Sequence, residues 1–302
     1  MKDNIYQEYE QCVLCHRNCR VNRNQGELGY CKMSNQLVAA RAALHFWEEP
    51  CISGKAGSGT VFFSGCSLAC VYCQNHDIAI GQTGKVLSQD RLAEIFLELQ
   101  SKGALNINLV TPTHYVPQIA SALIKAKTKG LTLPIVYNTG SFETLHTLRK
   151  LDGLVDIYLP DLKYYSNQLS LRYSKAPNYF DHATKAIQEM FRQVGPCVFD
   201  NDIMKRGMIV RHLALPNALD DSKHIIKYLY DTYHNDIYVS IMNQYTPLPQ
   251  VSDFPEINRT LTEEEYEELI DYAIELGYEN AFIQEGETAK ESFIPPFTCE
   301  GI

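Results

Sequence analysis

The sequence predicts an α/β protein built around a parallel sheet. From Gly57 onward, short β-branched or apolar runs alternate with longer segments of helical period, the pattern of repeated βα units. Capping residues and glycines fall where the helices should start and stop. A third observation places the chemistry: of ten cysteines, eight fall within the first 73 residues.

The first strand is predicted at Gly59 to Phe63. Leu92, Ile95, Phe96 and Leu99 follow at helical spacing, with Ser88 as N-cap and Gly103 as stop. The second unit pairs Asn106 to Val110 with a helix carrying Ile119, Leu123 and Ile124 and ending at Gly130. The third pairs Ile135 to Tyr137 with Leu145, Leu148 and Leu151; the fourth pairs Leu154 to Leu159 with a helix from His182 to Val194. Met208 to Leu215 precedes a helix opening at Asp220, Asp221 or Ser222, and Ile237 to Met242 precedes one from Glu263 to Leu276, where Thr262 and Glu265 form a capping box. Six such units with right-handed crossovers form either a partial barrel or a doubly wound sheet, and periodicity does not separate the two. In both, ligands bind at the C-terminal edge, where the long loops Pro160 to Asp181 and Asn243 to Leu261 sit.

With 302 residues, 45% hydrophobic and 21% charged, the chain suits one large domain with a small appendage. The expected division is a cysteine-rich extension at 1–56 and a core with a C-terminal extension at 57–302. The net charge of -9, with 27 Lys and Arg residues scattered along the chain, gives no footprint for nucleic acid. No apolar run approaches the roughly 18 residues of a membrane span, and the opening MKDNIYQEYEQC is too charged for a signal peptide. A cytoplasmic protein with no membrane partner is expected, and its cysteines point to metal ligation or catalysis rather than disulfides.

Cys66, Cys70 and Cys73, in the stretch SGCSLACVYCQN, have the spacing C-x3-C-x2-C and follow the first strand immediately. One loop can therefore wrap a single metal centre. A structural zinc site closes with four protein ligands, which His76 could complete, whereas a four-iron cluster on three thiolates keeps one iron open to a small chelating molecule. Upstream, Cys12, Cys15, Cys19 and Cys31 provide four further thiolates, enough to close a second site, with Gly26 and Gly29 allowing tight turns. Zinc and iron–sulfur both fit that spacing. The stretch His45 to Cys51, HFWEEPC, either lines the pocket of the three-cysteine centre or is a packed connector, the second reading resting on Phe46 and Trp47 being ordinary core residues. Asp161 and Lys163 could form a surface ion pair, but Arg211, inside the apolar run MIVRHLAL, needs a partner or a cavity.

The three-cysteine motif, with an aromatic at Tyr72, resembles the signature of the radical S-adenosylmethionine superfamily. The resemblance covers about Gly57 to Gln284. It implies a partial (β/α)6 barrel, a [4Fe-4S] cluster on Cys66, Cys70 and Cys73 as the catalytic centre, and S-adenosyl-L-methionine bound to it, with Tyr72 near the adenine. It also implies reductive cleavage to a 5′-deoxyadenosyl radical that abstracts hydrogen, and an electron donor such as flavodoxin or ferredoxin. Within the superfamily the chain is most similar to pyruvate formate-lyase activating enzymes and their relatives with a cysteine-rich N-terminal segment. That likeness makes a glycyl-radical enzyme the expected partner, with a small molecule or peptide as the alternative substrate. A non-catalytic zinc-binding interaction protein is the reading from another class.

By the same resemblance, cofactor contacts fall to Thr111 and Thr113, where the family has a Gly-Gly-Glu turn, to Asn138 and Thr139, where activating enzymes often have Asp-Thr-Asn-Gly, and to Asp161, Lys163 and Arg211. Asn138 in place of the acid puts the family's monovalent-cation site in doubt, and Met242-Asn243-Gln244-Tyr245 stands where activating enzymes carry a histidine.

Overall fold

In chain order the elements are β1 (Leu37–His45), α1 (Pro50–Ser53), β2 (Ser58–Phe63), α2 (His76–Ala79), β3 (Lys85–Leu87), α3 (Gln89–Ser101), β4 (Ile107–Val110), α4 (Val116–Thr128), β5 (Ile135–Thr139) and α5 (Leu145–Arg149). There follow β6 (Ile157–Pro160), α6 (Asn167–Ser174), α7 (Tyr179–Val194), β7 (Val198–Asp200), β8 (Ile203–Leu213), α8 (Leu219–Tyr233), β9 (Tyr238–Met242), α9 (Glu263–Leu276) and β10 (Ala281–Ile283). The computed structural model describes residues 5–284 and 295–302; part of the expected C-terminal extension lies outside them.

The strands form one sheet in the order β10-β9-β8-β6-β5-β4-β2-β1-β3, and β7 pairs antiparallel with β8. From β2 to β10 along this path every pairing is parallel, while β1 and β3 add an antiparallel edge. The sheet is open between β3 and β10. All six strands of the expected βα units are present, as β2, β4, β5, β6, β8 and β9. Every residue of β2, β4, β5 and β6 is buried, as expected of parallel strands covered on both faces. Helix α3 turns Leu92, Ile95, Phe96 and Leu99 inward, and α7 turns Ala183, Ile187, Met190 and Val194 inward.

Two expected loops contain structure. Pro160 to Asp181 includes α6, which Ser166 caps, and Asn243 to Leu261 includes two short 3-10 turns. Residues 5–36 form no strand and lie across the elements that follow β4 and β5. Tyr9 Oη donates to Gln118 Oε1 (2.9 Å), His16 N to Phe142 O (3.0 Å), and Thr147 Oγ1 to Leu14 O (2.8 Å). No described helix is long and apolar enough to cross a membrane.

The capping box of α9 is complete: Glu265 N donates to Thr262 Oγ1 (3.2 Å) and Thr262 N to Glu265 Oε2 (3.0 Å). Thr262→Ala is expected to cost about 1 kcal/mol, read as a lowered unfolding midpoint in urea.

Candidate active site

Beyond Phe63 the chain leaves β2 through Gly65, whose φ of +88° suits glycine. A Cβ there would sit 2.3 Å from Met33 Cγ and 2.7 Å from Cys31 O, so no side chain fits. Ala69, at φ +48°, turns the chain again between Cys66 and Cys70. Arg17, from the N-terminal segment, fixes the loop from outside. Its guanidinium donates to Ser67 O (2.6 Å), Leu68 O (3.3 Å), Ser174 O (2.6 Å) and Lys175 O, and stacks 3.7 Å from the Tyr30 ring centroid.

Cys66, Cys70 and Cys73 line a cavity of about 240 Å³ at the C-terminal edge of the sheet. Thr111, Thr113, Asn138 and Thr139 line it from β4 and β5, Asp161, Lys163 and Arg211 from β6 and β8, and Tyr72 from the cysteine loop. The cavity thus collects every residue expected at the first centre. A larger cleft of about 570 Å³, lined by residues such as Tyr165, Asn217 and Asp221, includes none of them.

Arg211 is the hub of the polar floor. It donates from Nε to Asp161 Oδ1 (2.9 Å), from Nη1 to Glu48 Oε2 (3.2 Å) and from Nη2 to Asn138 Oδ1 (2.6 Å). Lys163 Nζ donates to Asp161 Oδ2 (2.7 Å). The Asp161–Lys163 pair is therefore real, but at 16% and 17% side-chain exposure it faces the cavity and not the surface. Burial would raise the Asp161 pKa, yet Arg211 and Lys163 outweigh it and hold the carboxyl below its usual range. For Glu48 burial prevails over Arg211, and its pKa is pushed up.

Glu48 was not legible as a site residue. In HFWEEPC the aromatic side chains are the exposed ones, Phe46 at 50% and Trp47 at 63%, while Glu49 is buried and Glu48 half-buried; His45, Trp47 and Glu48 line the cavity. Of the two readings of this stretch, the cavity lining favours the pocket over the packed connector, and the exposure of Phe46 and Trp47 goes against the connector. The signal available was two adjacent acids before a proline, a poor composition for a plain connector.

Glu143 is a second residue that sequence reasoning missed. Its Oε1 accepts from Thr113 Oγ1 (2.6 Å), Tyr137 Oη (3.2 Å) and Thr139 Oγ1, so the two threonine hydroxyls are engaged within the protein. Thr111 takes φ +58°, the left-handed conformation a glycine adopts easily, and thereby makes a turn without the family's glycines. Gly140 lets Leu68 of the cysteine loop pack close, since a Cβ there would lie 2.6 Å from Leu68 Cδ1.

Tyr72 Oη donates to Tyr164 Oη (2.6 Å), Tyr164 Oη and Ser174 Oγ are 2.7 Å apart, and Ser174 Oγ donates to Cys70 Sγ (2.9 Å). This hydroxyl chain ends on a thiol of the three-cysteine loop. Burial pushes the Cys66 and Cys73 thiols up, while Lys163 works in the opposite direction. Three thiols, Cys70 buried and Cys66 and Cys73 half-buried, opening on a cavity with one lysine nearby fit a cationic iron centre, whose charge compensates thiolates that burial alone disfavours.

An open, largely parallel sheet carries three thiols after its first parallel strand and paired charges beneath them, a donor set suited to a metal centre beside a small polar molecule. The chain belongs to the radical SAM superfamily, whose sequence signature covers residues 60–208. An uncharacterised protein of Methanocaldococcus jannaschii is 30% identical over 275 residues, spanning 88% of this chain and 75% of that protein. A pyruvate formate-lyase-activating enzyme of Staphylococcus epidermidis is 24% identical over 177 residues, 55% of this chain and 65% of that one. Streptococcus suis SuiB bound to S-adenosylmethionine superposes with a TM-score of 0.53 at 12% identity, covering 73% of this chain and 48% of SuiB. Methylornithine synthase (PylB) superposes with a TM-score of 0.50 at 13% identity, covering 92% of this chain and 78% of that one. These superpositions show the fold. The family implies a [4Fe-4S] cluster and S-adenosylmethionine.

Hydrogen bonds to cluster sulfurs raise a cluster's reduction potential. Ser174→Ala, which removes the donor to Cys70, is expected to make the midpoint potential of the reconstituted cluster more negative, as followed by spectroelectrochemical titration. His212, beside Arg211, is buried with Nδ1 2.8 Å from Leu162 O and Nε2 2.9 Å from Ser222 Oγ, and burial pushes its pKa down to about 4 from an ordinary 6.5. Between those values the unfolded chain binds the proton that the folded chain refuses, so stability falls as pH falls through that window. An NMR titration of the metal-free chain should find the His212 ring neutral until about pH 4.

Proposed function

We propose that this chain is a radical SAM activating enzyme whose hydrogen donor is a glycine Cα–H in a partner glycyl-radical enzyme. The observation that carries the radical chemistry is the joint opening of Cys66, Cys70 and Cys73 onto the cavity floored by Asp161, Lys163, Arg211 and Glu48. The activating-enzyme subtype is supported by the 24% identity to the Staphylococcus epidermidis enzyme.

Cys66, Cys70 and Cys73 would hold the cluster. When bound, the reduced cluster would supply one electron, and S-adenosylmethionine, accepting it at its sulfonium, would supply the carbon radical that takes the substrate hydrogen and leave as methionine and 5′-deoxyadenosine. The protein's part is orientation and shielding. Lys163 and Arg211 present positive charge to a carboxylate, and Asp161 and Glu48 present carboxylates to an ammonium, so one floor suits both charges of an amino-acid moiety. The backbone of the left-handed turn at Thr111 takes the place of the family's glycine turn. The buried aromatic set of Tyr72, Tyr164, Tyr173 and Tyr245 walls the side beside Cys70 and Cys73 and excludes water. A one-electron protein donor, flavodoxin or ferredoxin, would supply the reductant.

One observation favours a second reading, hydrogen abstraction from a small molecule or peptide. Asn138 replaces the activating enzymes' acid, and its oxygen is taken by Arg211, which removes the family's cation ligand at that place.

With dithionite and S-adenosylmethionine, the anaerobically reconstituted protein is expected to form 5′-deoxyadenosine and methionine, and Cys66→Ala, Cys70→Ala or Cys73→Ala each to abolish it. A chain carrying zinc and no iron would sink the radical reading. Mixed with glycyl-radical enzymes of its own cell, the wild type should generate a glycyl-radical EPR signal; deoxyadenosine without that signal selects the second reading.

A further inference from the structure

Outside the cavity, the unexplained feature of the described residues is a buried arginine among cysteines. Arg23 is 1% exposed. It donates from Nη2 to Cys31 Sγ (3.2 Å) and from Nη1 to Met33 O (3.1 Å), and its Nε has no partner. The partners the structure gives it are one cysteine sulfur and the carbonyls of Met33 and Ser34, with no carboxylate among them. A buried guanidinium is costly without an anion beside it, and neutral thiols do not provide one.

The surrounding chain is shaped around those sulfurs. Cys12, Cys15 and Cys31 are buried, Cys19 is half-buried, and all four are free thiols. Arg20 N donates to Cys12 O (2.9 Å) and Asn18 N to Cys15 O (3.0 Å), which folds the segment carrying Cys12, Cys15 and Cys19 back on itself. Asn18 (φ +47°), Arg20 (φ +56°) and Lys32 (φ +64°) take left-handed conformations beside Cys19 and Cys31, a strain typical of ligand clamps. Tyr30 N donates to Cys19 Sγ (3.3 Å), an N–H to sulfur bond of the kind that tunes metal-bound thiolates. Glycine at position 29 leaves room for the arginine, since a Cβ there would stand 2.8 Å from Arg23 Nη2 and 3.6 Å from Cys19 Sγ.

We propose that Cys12, Cys15, Cys19 and Cys31 bind a second iron–sulfur cluster, whose negative charge is balanced by the buried Arg23 guanidinium. Four thiolates outweigh the charge of a four-iron core, so the loaded site is the anion that Arg23 lacks. A single tetrahedral zinc would draw its sulfurs to about 3.8 Å of one another, given Zn–S bonds of about 2.3 Å. Among the described residues no three His, Cys, Asp or Glu side chains converge in that way for one ion. A cube instead attaches each thiolate to a different iron and accommodates sulfurs that stand further apart.

The test uses the full chain carrying Cys66→Ala, Cys70→Ala and Cys73→Ala together, purified without oxygen, so that iron in the cavity is removed from the count. Roughly four irons and four sulfides per chain are expected to remain, with thiolate-to-iron charge-transfer absorption. Zinc in their place, or no metal, overturns the proposal. In the wild type, Arg23→Gln removes the balancing charge and should move the midpoint potential of the N-terminal cluster to a more negative value in an EPR-monitored titration, while Arg23→Lys restores most of it. An unchanged potential in Arg23→Gln overturns the role of Arg23, and if that variant does not fold, Arg23→Lys and the iron count still decide. Iron retained by the triple variant alongside a wild type that forms no deoxyadenosine would refute the radical reading and leave this one standing.

Discussion

The Arg211 guanidinium is the contact on which the geometry of the cavity depends. It rises from β8 and ties together the end of β6 through Asp161, β5 through Asn138, and the segment before α1 through Glu48. Placing a charge between parallel strands is unfavourable unless every donor is met by an oxygen. Meeting that demand sets the spacing of three strand ends and brings Lys163 to the edge of the cavity through their shared partner Asp161. The floor beneath the three thiols is thus a single connected network, and removing Asp161 would take a carboxylate from both Arg211 and Lys163.

The N-terminal segment acts on the site from the other side. It forms no strand, yet Arg17 holds the carbonyls of the cysteine loop and Met33 occupies the space in front of Gly65. The cysteine loop therefore rests between two groups of charged contacts, with its thiols directed at the cavity between them.

Much of this is legible in the sequence where local chemistry and fold agree. The six parallel strands are readable because fully buried strands need uninterrupted apolar runs, and the Ser88 and Thr262 caps sit at their expected helices. β1 is not readable, because Leu37–His45 is rich in alanine and has neither alternation nor a β-branched run. β7 and β10 are three-residue edge strands, too short to carry a period. At the site, the cysteine spacing and the pair Asp161 and Lys163 are local in sequence and visible. Glu48 and Glu143 are not, since their roles come from partners far along the chain, and HFWEEPC inverts the usual rule by covering its acids and exposing its aromatics. Arg23 likewise looks like an ordinary basic residue until the fold surrounds it.

The Arg17 clamp has a consequence for the order of assembly. Its acceptors lie about fifty and more than one hundred and fifty residues away in the chain, at Ser67 and Leu68 and at Ser174 and Lys175. Contacts so distant in sequence form late, because loop-closure entropy must be overcome first. The cysteine loop consequently reaches its final shape only after α6 and the N-terminal segment have docked. During synthesis Arg17 leaves the ribosome ahead of the three thiols, but Ser174 and Lys175 follow only about a hundred residues after them, so the clamp on the loop closes last on the side of α6.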